Sequence, residues 1–339
     1  MSLVVGEGTS LQPFNTFGVA ARAEHFTQVH DDDELRQALA LAAREGWPVQ
    51  IMGGGSNLLL TADVPGLVVR MASQGKRIVQ VTDGQAVVEA EAGEAWHPFV
   101  RWSLAQGLMG LENLSLIPGT VGAAPMQNVG AYGIEVKDVF SGLTALDRHT
   151  GETRELTAQD CAFGYRDSRF KREAGRWVIL RVRFALAYHA PLHLDYGPVR
   201  QRLAAEGIEH PTAIQVSEAI CAIRREKLPD PAHLGNAGSF FKNPLVPHAL
   251  VSALRQHYPD LVSYPAGEGM AKLAAGWLID KAGWRGVRDG PVGVHAHQAL
   301  VLVNHGGATG QQVLALARRI QADILTRFGV SLEIEPNLL

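Results

Sequence analysis

The chain has little of what defines several protein classes. Only two of its 339 residues are cysteine, and Cys161 and Cys221 lie too far apart for a zinc motif, so the pattern excludes a disulfide-stapled fold and indicates a reducing compartment. Acidic residues exceed basic ones by three, 34 against 31, which excludes nucleic-acid binding driven by bulk charge. No apolar run approaches the roughly 18 residues of a membrane span, and the N-terminus has no signal segment. We therefore expect a cytoplasmic protein that binds neither nucleic acid nor membrane.

The periodicity of apolar residues predicts an α+β fold, with strands concentrated in the first half and helices in the final third. Residues 32–46 and 270–282 have the helical pattern, and Thr309 with Gln312 forms a capping box before another helix. Asp83-Gly84 is the preferred turn dipeptide of a hairpin over 78–91. Residues 330–335 are predicted to form a closing strand.

Glycine is abundant, at 36 residues, and one glycine-rich loop follows the predicted strand 49–52. Its sequence is Gly53-Gly54-Gly55-Ser56-Asn57-Leu58. Successive amide hydrogens of such a loop can form an anion-binding nest. A Rossmann fingerprint would need glycine in place of Leu58, and the chain has no Walker motif. The residues alone leave phosphate binding and a plain tight turn equally open.

A second glycine-rich segment carries no charged residue. It reads Ile117-Pro118-Gly119-Thr120-Val121-Gly122-Ala123-Ala124-Pro125-Met126-Gln127-Asn128-Val129-Gly130-Ala131-Tyr132-Gly133. An exposed loop of this length normally carries charge, whereas small uncharged residues allow the backbone to lie against a planar ring system. The alternative is a buried glycine-rich crossover with no ligand. Two such loops favour an elongated cofactor, with a diphosphate at one loop and a ring at the other.

These two loops, in this order, resemble those of the UDP-N-acetylenolpyruvoylglucosamine reductase family, flavin enzymes of bacterial peptidoglycan precursor synthesis. The resemblance extends over nearly the whole chain. It continues through three further motifs: Tyr165-Arg166-Asp167-Ser168-Arg169-Phe170-Lys171, Gly235-Asn236-Ala237-Gly238-Ser239-Phe240-Phe241-Lys242-Asn243-Pro244 and Ala274-Ala275-Gly276-Trp277-Leu278-Ile279-Asp280.

The resemblance implies an FAD-binding domain of the vanillyl-alcohol-oxidase (PCMH) type in two lobes, followed by an α+β substrate-binding domain. We expect lobe 1 at 1–70, lobe 2 at 71–215 and the substrate domain at 216–339, with the PCMH-type region at about 15–187 and the end of the chain returning to lobe 1. FAD should be held noncovalently, because neither loop contains histidine or cysteine. We expect a monomer.

The resemblance also implies the chemistry. NADPH is the hydride donor, and hydride passes through FAD to the vinyl carbon of UDP-N-acetylglucosamine enolpyruvate, giving UDP-N-acetylmuramate. Charge then flows into the carboxylate, and a proton arrives at the carbon bearing the ether oxygen. The site therefore needs cations or donors at the carboxylate and a proton donor at carbon.

Three residues match the catalytic positions of the family. Ser239 matches the proton donor, and Arg166 the arginine whose planar fork suits a carboxylate. Glu335 matches a C-terminal glutamate that can donate a hydrogen bond to the developing enediolate, although Glu333 would share its strand face. The family continues after this glutamate with Val-Arg, whereas this chain has Pro336-Asn337. The departure leaves the strand pairing here, and the choice of glutamate, open.

Further positions match residues that bind substrate or FAD. Tyr196 matches the mobile tyrosine that closes over the UDP diphosphate in the longer type of the family. The other substrate-binding matches are Lys227, Asn243, Tyr264 and Gln298. The cofactor-binding positions are Gly53, Gly54, Gly55, Ser56, Asn57, Leu58, Pro118, Gly119, Thr120, Gly122, Ala123, Gln127, Asn128, Gly130, Ala131, Tyr132 and Gly133.

Three alternatives involve other chemistry. The histidine pairs His295/His297 and His189/His193 have no third ligand at a recognisable spacing, so no metal site is expected. Another FAD oxidoreductase of the same fold could act on a hydroxy acid or an alcohol. A UDP-sugar-binding protein without turnover would fit the altered tail. Bleaching by NADPH and recolouring by substrate would indicate the reductase, whereas bleaching without recolouring by this substrate would leave the other oxidoreductase or the inactive binding protein.

Overall fold

The computed structural model describes residues 3–339, and their contacts divide into two compact units. Unit 1 contains the described part of Met1–Thr9 with Ala23–Gly55 and Pro65–Glu226. Unit 2 contains Ser10–Arg22, Ser56–Val64 and Lys227–Leu339. Both units mix strands with helices, as the predicted α+β class requires. Among the described helices, none is both long and apolar enough to cross a bilayer.

The elements are numbered in chain order. The strands are β1 (Gly6–Ser10), β2 (Arg22–Val29), β3 (Val49–Met52), β4 (Leu58–Leu59), β5 (Val64–Met71), β6 (Lys76–Thr82), β7 (Gln85–Glu91), β8 (Gly130–Ala131), β9 (Ile134–Glu135), β10 (Phe140–Asp147), β11 (Thr153–Leu156), β12 (Trp177–Ala187), β13 (Leu245–Pro247), β14 (Ser263–Pro265), β15 (Met270–Leu273), β16 (Arg288–Asp289), β17 (Val292–Val294), β18 (Leu302–Asn304) and β19 (Asn337–Leu338). The helices are α1 (Asp32–Glu45), α2 (Trp96–Ala105), α3 (Ala158–Cys161), α4 (Arg169–Arg172), α5 (Gly197–Ala205), α6 (Ala213–Lys227), α7 (His248–His257), α8 (Ala275–Lys281) and α9 (Gly310–Phe328).

Unit 1 contains two main sheets. One has the strand order β1-β2-β5-β3, in which β3 and β5 run parallel, and the other is antiparallel with the order β11-β10-β12-β7-β6. A buried apolar cluster contains Val69 from the first sheet and Leu180 from the second. A larger cluster packs Trp96 and Phe99 of α2 against Phe184 of β12. Helix α2 is therefore anchored on the second sheet by aromatic burial.

Local signals in unit 1 behave as expected. Helix α1 begins with the Asp31 side chain accepting from the Glu34 amide and ends at Gly46, which has the left-handed φ of 71°. The hairpin of β6 and β7 turns at Asp83-Gly84, where Gly84 has φ 77°. Both predictions are confirmed.

Unit 2 contains two three-stranded sheets, with the orders β13-β15-β14 and β16-β17-β18. The predicted capping box is confirmed: the Thr309 side chain accepts from the Gln312 amide, and the Gln312 side chain accepts from the Thr309 amide at the start of α9. Gly310 follows directly, and a Cβ there would lie 1.8 Å from the Leu60 carbonyl oxygen. The beginning of α9 therefore needs glycine.

The helix predicted over 270–282 is wrong in its first part. Met270–Leu273 is strand β15, which pairs antiparallel with β13 on one side and β14 on the other. Ala271 and Leu273 are buried, so the period here is two. The helix begins only at Ala275, whose amide donates to Asn243 Oδ1 over 2.9 Å. Pairing with distant strands overrode the local helical pattern.

The strand predicted over 330–335 is wrong in extent. Ile334 forms an isolated antiparallel bridge with Phe241. The Lys242 amide donates to the Glu333 carbonyl and the Glu335 amide to the Phe240 carbonyl, each over 2.9 Å. Pro336 has no amide hydrogen to continue this pairing. After it, β19 pairs in parallel with β4 instead.

Both cysteines of the chain are buried. Burial raises the pKa of Cys161 to about 12 and also raises the pKa of Cys221. Both thiols are therefore protonated at neutral pH.

Candidate active site

The two glycine-rich loops touch each other in unit 1. A Cβ on Gly53 would lie 2.5 Å from Thr120 Oγ1, and one on Gly54 would lie 3.2 Å from the Gly119 Cα. A Cβ at Gly53 would displace the Thr120 side chain, and one at Gly54 would press on the backbone of the second loop, so glycine favours the close approach. The structure thus brings together the loops that the sequence assigns to one cofactor.

The first loop has the features of an anion site. Within residues 3–339, the amide hydrogens of Gly54, Gly55 and Ser56 find no acceptor. Gly55 has φ 62°, and the loop follows strand β3 directly. Consecutive unpaired amides at such a turn bind anionic oxygen atoms. The residues therefore fit the diphosphate of FAD.

The second loop is stabilised by its own turns and by hydrogen bonds to residues that follow it in the chain. It contains two short 3-10 turns, Val121–Ala123 and Pro125–Gln127. Asn128 is fully buried with φ 46°, and its side-chain amide donates to Glu135 Oε2 over 2.9 Å and to the Gly164 carbonyl over 3.1 Å. The loop therefore has a fixed conformation, maintained by side chains outside it as well as by its own backbone.

Arg166 lies at the tip of a tight reversal beside this loop. Gly164 and Asp167 pair through two backbone hydrogen bonds, and Arg166 between them has φ 52°. Its guanidinium donates to the Gly130 carbonyl over 2.6 Å. Asp167 forms an ion pair with Arg172. A non-glycine residue held at positive φ is costly and occurs preferentially at functional sites.

Tyr132 and Tyr196 are in contact. Their rings meet edge to face at 5.2 Å between centroids. Tyr132 has φ 49°, and its carbonyl accepts from Asn113 Nδ2, which also donates to the His193 carbonyl. Burial raises the pKa of Tyr132. The predicted mobile tyrosine therefore packs on the last part of the second loop.

Ser239 lies in a short extended segment of unit 2 with neighbours on both sides. It forms a bridge with Val301, and the next residue, Phe240, donates to the Leu300 carbonyl and accepts from the Glu335 amide. Gly238 takes φ 71°, and its amide donates to Asn236 Oδ1. The Ser239 hydroxyl has no hydrogen-bond partner among the described residues.

Glu333 and Glu335 have different surroundings. The Glu333 side chain is 69% exposed and pairs with Lys242. Glu335 is half-buried, and its carbonyl lies 3.5 Å from Asn57 Nδ2 of the first glycine-rich loop. Backbone pairing places Glu335 opposite Phe240, next to Ser239.

Asn243 and Gln298 both lie near the start of α8. The Asn243 side-chain oxygen accepts from the Ala275 amide, while its Nδ2 group has no acceptor in the described part of the chain. A Cβ on Gly276 would lie 3.4 Å from Gln298 Oε1. The Leu300 amide donates to Gln298 Oε1, and the Leu300 carbonyl accepts from Phe240, the residue after Ser239. Gln298 therefore lies in the same part of unit 2 as Ser239.

The remaining predicted residues lie apart from the groups of residues described above. Lys227 ends α6 and is exposed, and Tyr264 lies in β14 with 43% of its surface exposed. His295 and His297 contact each other at 5.6 Å between ring centroids. Over residues 3–339, no three His, Cys, Asp or Glu side chains are grouped as a metal ion would need.

Sequence reasoning missed residues of two helices, among them His97 and Arg224, that hold Leu116 directly before the second loop. His97 Nδ1 accepts from the Leu116 amide over 2.9 Å, and Arg224 Nε donates to the Leu116 carbonyl over 3.2 Å. No sequence motif predicts these contacts, because the residues lie far apart along the chain.

Comparisons with known proteins agree with this arrangement. An FAD binding domain model matches residues 23–157, and the model of the UDP-N-acetylenolpyruvoylglucosamine reductase C-terminal domain matches residues 230–339. The chain is 67% identical to UDP-N-acetylenolpyruvoylglucosamine reductase of Pseudomonas aeruginosa over 338 residues, with 100% of both chains covered. It is 54% identical to the protein of that name from Chromobacterium violaceum over 342 residues, again with 100% of both covered.

A solved structure shows the fold. The crystal structure of UDP-N-acetylenolpyruvylglucosamine reductase from Thermus caldophilus superimposes with a TM-score of 0.69 at 24% identity, covering 100% of this chain and 99% of that one. The loops and the matched domains define an FAD-dependent oxidoreductase. More narrowly, the chain belongs to the UDP-N-acetylenolpyruvoylglucosamine reductase family. The resemblance, the fold class and the cofactor predicted from the sequence are confirmed.

Proposed function

We propose that Arg166, Ser239 and Glu335 carry out the chemistry of this enzyme. The reaction is the NADPH-dependent reduction of UDP-N-acetylglucosamine enolpyruvate to UDP-N-acetylmuramate, in peptidoglycan precursor synthesis. When bound, FAD would supply the hydride for the terminal vinyl carbon, with NADPH as its reductant. The protein's own residues must bind the carboxylate, stabilise the charge that develops there and deliver a proton.

Ser239 is the proton donor. The observation that supports this assignment best is the unengaged hydroxyl on a backbone fixed from both sides. The Ser239 Oγ–H delivers its proton to the carbon bearing the ether oxygen. An enediolate carbon is a strong base, so even a weak acid such as serine suffices. A positioned general acid contributes about 10²–10⁴-fold.

Arg166 and Glu335 act on the carboxylate end. The Arg166 guanidinium donates through Nη2 to the Gly130 carbonyl, and its planar fork suits the substrate carboxylate. Glu335 is chosen over Glu333 because Glu333 is exposed and paired with Lys242. A protonated Glu335 would donate a hydrogen bond to the developing enediolate.

Further residues hold the substrate. The Nδ2 group of Asn243 is a donor for the carboxylate, and Gln298 lies beside it at α8. Lys227 offers an exposed ammonium for the carboxylate, and Tyr264 offers an exposed hydroxyl for the nucleotide. Tyr196 covers the diphosphate, and its contact with Tyr132 supports a position next to the cofactor loop.

The cofactor domain is assigned to the two lobes at 1–70 and 71–215, and the substrate domain to 216–339. The cofactor is held by the first loop, residues 53–58, and by the second, for which Pro118, Gly119, Thr120, Gly122, Ala123, Gln127, Asn128, Gly130, Ala131, Tyr132 and Gly133 are assigned. The protein works as a monomer in the cytoplasm.

A flavin redox experiment tests this function. The purified protein should be yellow, bleach on anaerobic addition of NADPH and regain its colour on addition of UDP-N-acetylglucosamine enolpyruvate. Bleaching without recolouring by this substrate would contradict the proposed reaction. Acid precipitation should release the flavin into the supernatant, and colour left in the pellet would contradict noncovalent binding.

A further inference from the structure

Side chains from two helices form hydrogen bonds with three consecutive residues immediately before the second glycine-rich loop. We name residues 114–116 the entry segment. From α2, the Trp96 indole donates to the Leu114 carbonyl over 2.9 Å, and His97 Nδ1 accepts from the Leu116 amide over 2.9 Å. From α6, the Ser217 hydroxyl lies 2.7 Å from the Ser115 hydroxyl, and Arg224 Nε donates to the Leu116 carbonyl over 3.2 Å.

These hydrogen bonds hold Leu116 in a strained backbone conformation. Leu116 has φ 58°, in the left-handed region that a residue with a branched side chain rarely adopts. Both of its peptide hydrogen-bonding groups are used by side chains, His97 on the amide and Arg224 on the carbonyl. Such strain persists only where surrounding groups over-determine it, and it marks functional sites.

Arg224 also reaches the other end of the loop. Its guanidinium interacts with the hydroxyl of Tyr132, a second residue of positive φ. Burial lowers the pKa of Arg224, and no carboxylate in the described residues compensates its charge. A half-buried cation without a carboxylate partner costs free energy, so its retention here needs the contacts that it makes with the loop and with Leu116.

We propose that His97 and Arg224 are positioning residues for FAD, because together they fix the entry segment and thereby the shape of the loop at 117–133. This rests on the proposed assignment of that loop to the cofactor. The hydrogen bond from the Leu116 amide requires that the His97 imidazole be neutral, since a protonated Nδ1 cannot accept a hydrogen bond.

The surroundings of His97 set its proton affinity. Arg101 on the same helix and Arg225 and Arg224 on α6 face the ring, and Arg101 is paired in turn with Glu218. Burial and then these cations lower the pKa of His97. FAD should therefore stay bound down through the ordinary titration range of histidine and loosen only at more acid pH.

The test measures the dissociation constant of FAD from the holoenzyme by flavin fluorescence on dilution. Arg224→Gln should weaken FAD binding by about 10-fold, because it removes the hydrogen bond to the partly buried Leu116 carbonyl. Arg225→Gln, one residue along the same helix, should change it by less than about twofold. Equal effects of the two variants would overturn the proposal.

His97 gives a second readout. His97→Leu should weaken FAD binding by about 10-fold at neutral pH. His97→Asn places Oδ1 where Nδ1 was, so it should retain most of the affinity for FAD. The acid loss of FAD should disappear in His97→Asn, since that side chain does not titrate. An acid profile identical to that of the parent would overturn the proposal.

Gly119→Ala separates this inference from the loop assignment. Gly119 has φ 115°, so alanine distorts the loop itself. If Gly119→Ala weakens FAD binding while the His97 and Arg224 variants do not, the positioning role of His97 and Arg224 is wrong and the loop assignment stands. If Gly119→Ala leaves FAD affinity unchanged, the loop assignment fails and the proposal fails with it.

Discussion

The segment at 114–133 and the segment at 235–243 hold their shapes in different ways. In the first, non-glycine residues adopt positive φ, and side chains from elsewhere hold them, as at Leu116 and Asn128. In the second, glycine takes the positive φ at Gly238, and main-chain hydrogen bonds to Leu300 and Glu335 fix the next residues. The first shape therefore depends on distant side chains, while the second depends on backbone pairing.

The largest expected effect tests whether backbone pairing serves the proton donor. Ser239→Ala should slow reoxidation of the flavin by the enolpyruvyl substrate by about 10²–10⁴-fold. Reduction of the flavin by NADPH should stay near the parent rate, because it needs no proton at the substrate. Stopped-flow absorbance measures both steps. Ser331→Ala, at an exposed position of the same unit, should change neither. Parallel loss of both steps would contradict the role of Ser239.

A second prediction breaks the backbone of the same segment. A Cβ on Gly235 would lie 2.2 Å from the Phe17 carbonyl oxygen, so Gly235→Ala should lower the free energy of unfolding by about 1–3 kcal/mol. Nothing lies within 4 Å of a Cβ on Gly238, and asparagine tolerates positive φ. Gly238→Asn should therefore cost less. Thermal melts compare the two, and equal destabilisation would argue against this packing.

A third prediction decides between the two glutamates. Glu335→Ala should slow the substrate half-reaction by about tenfold or more, through loss of a hydrogen bond that strengthens during the reaction. Glu333→Ala removes an exposed ion pair with Lys242 and should leave the rate nearly unchanged. The reverse outcome would assign the role to Glu333.

The smallest effect concerns the contact between the tyrosines. Tyr196→Phe retains the ring that packs on Tyr132 but removes the hydroxyl assigned to the diphosphate. Substrate should bind about fivefold more weakly, the loss of one hydrogen bond, with flavin reduction by NADPH unchanged. Substrate titrations followed by flavin absorbance measure it. Equal changes in both half-reactions would indicate a structural tyrosine instead.

The sequence predicts the features that depend on neighbouring residues. The cap and stop of α1, the turn at Asp83-Gly84 and the capping box at Thr309 are local signals, and the structure contains all three. The motifs also identified the family and the cofactor.

What the sequence could not predict depends on distant partners. Met270–Leu273 has a helical pattern but forms a strand between β13 and β14, because long-range pairing outweighs local propensity. The contacts of His97 and Arg224 with Leu116 join residues 19 and 108 positions apart. The strain at Leu116 arises from those contacts and leaves no trace in composition or spacing.

The two buried cysteines make the protein suitable for site-specific labelling. A thiol reacts as the thiolate, and burial keeps both Cys161 and Cys221 protonated at neutral pH. A cysteine introduced at an exposed position, such as Ser331, would therefore react with a maleimide dye well before either native thiol. The motion of a chosen segment, including the one that carries Tyr196, can then be followed spectroscopically without first removing the native cysteines.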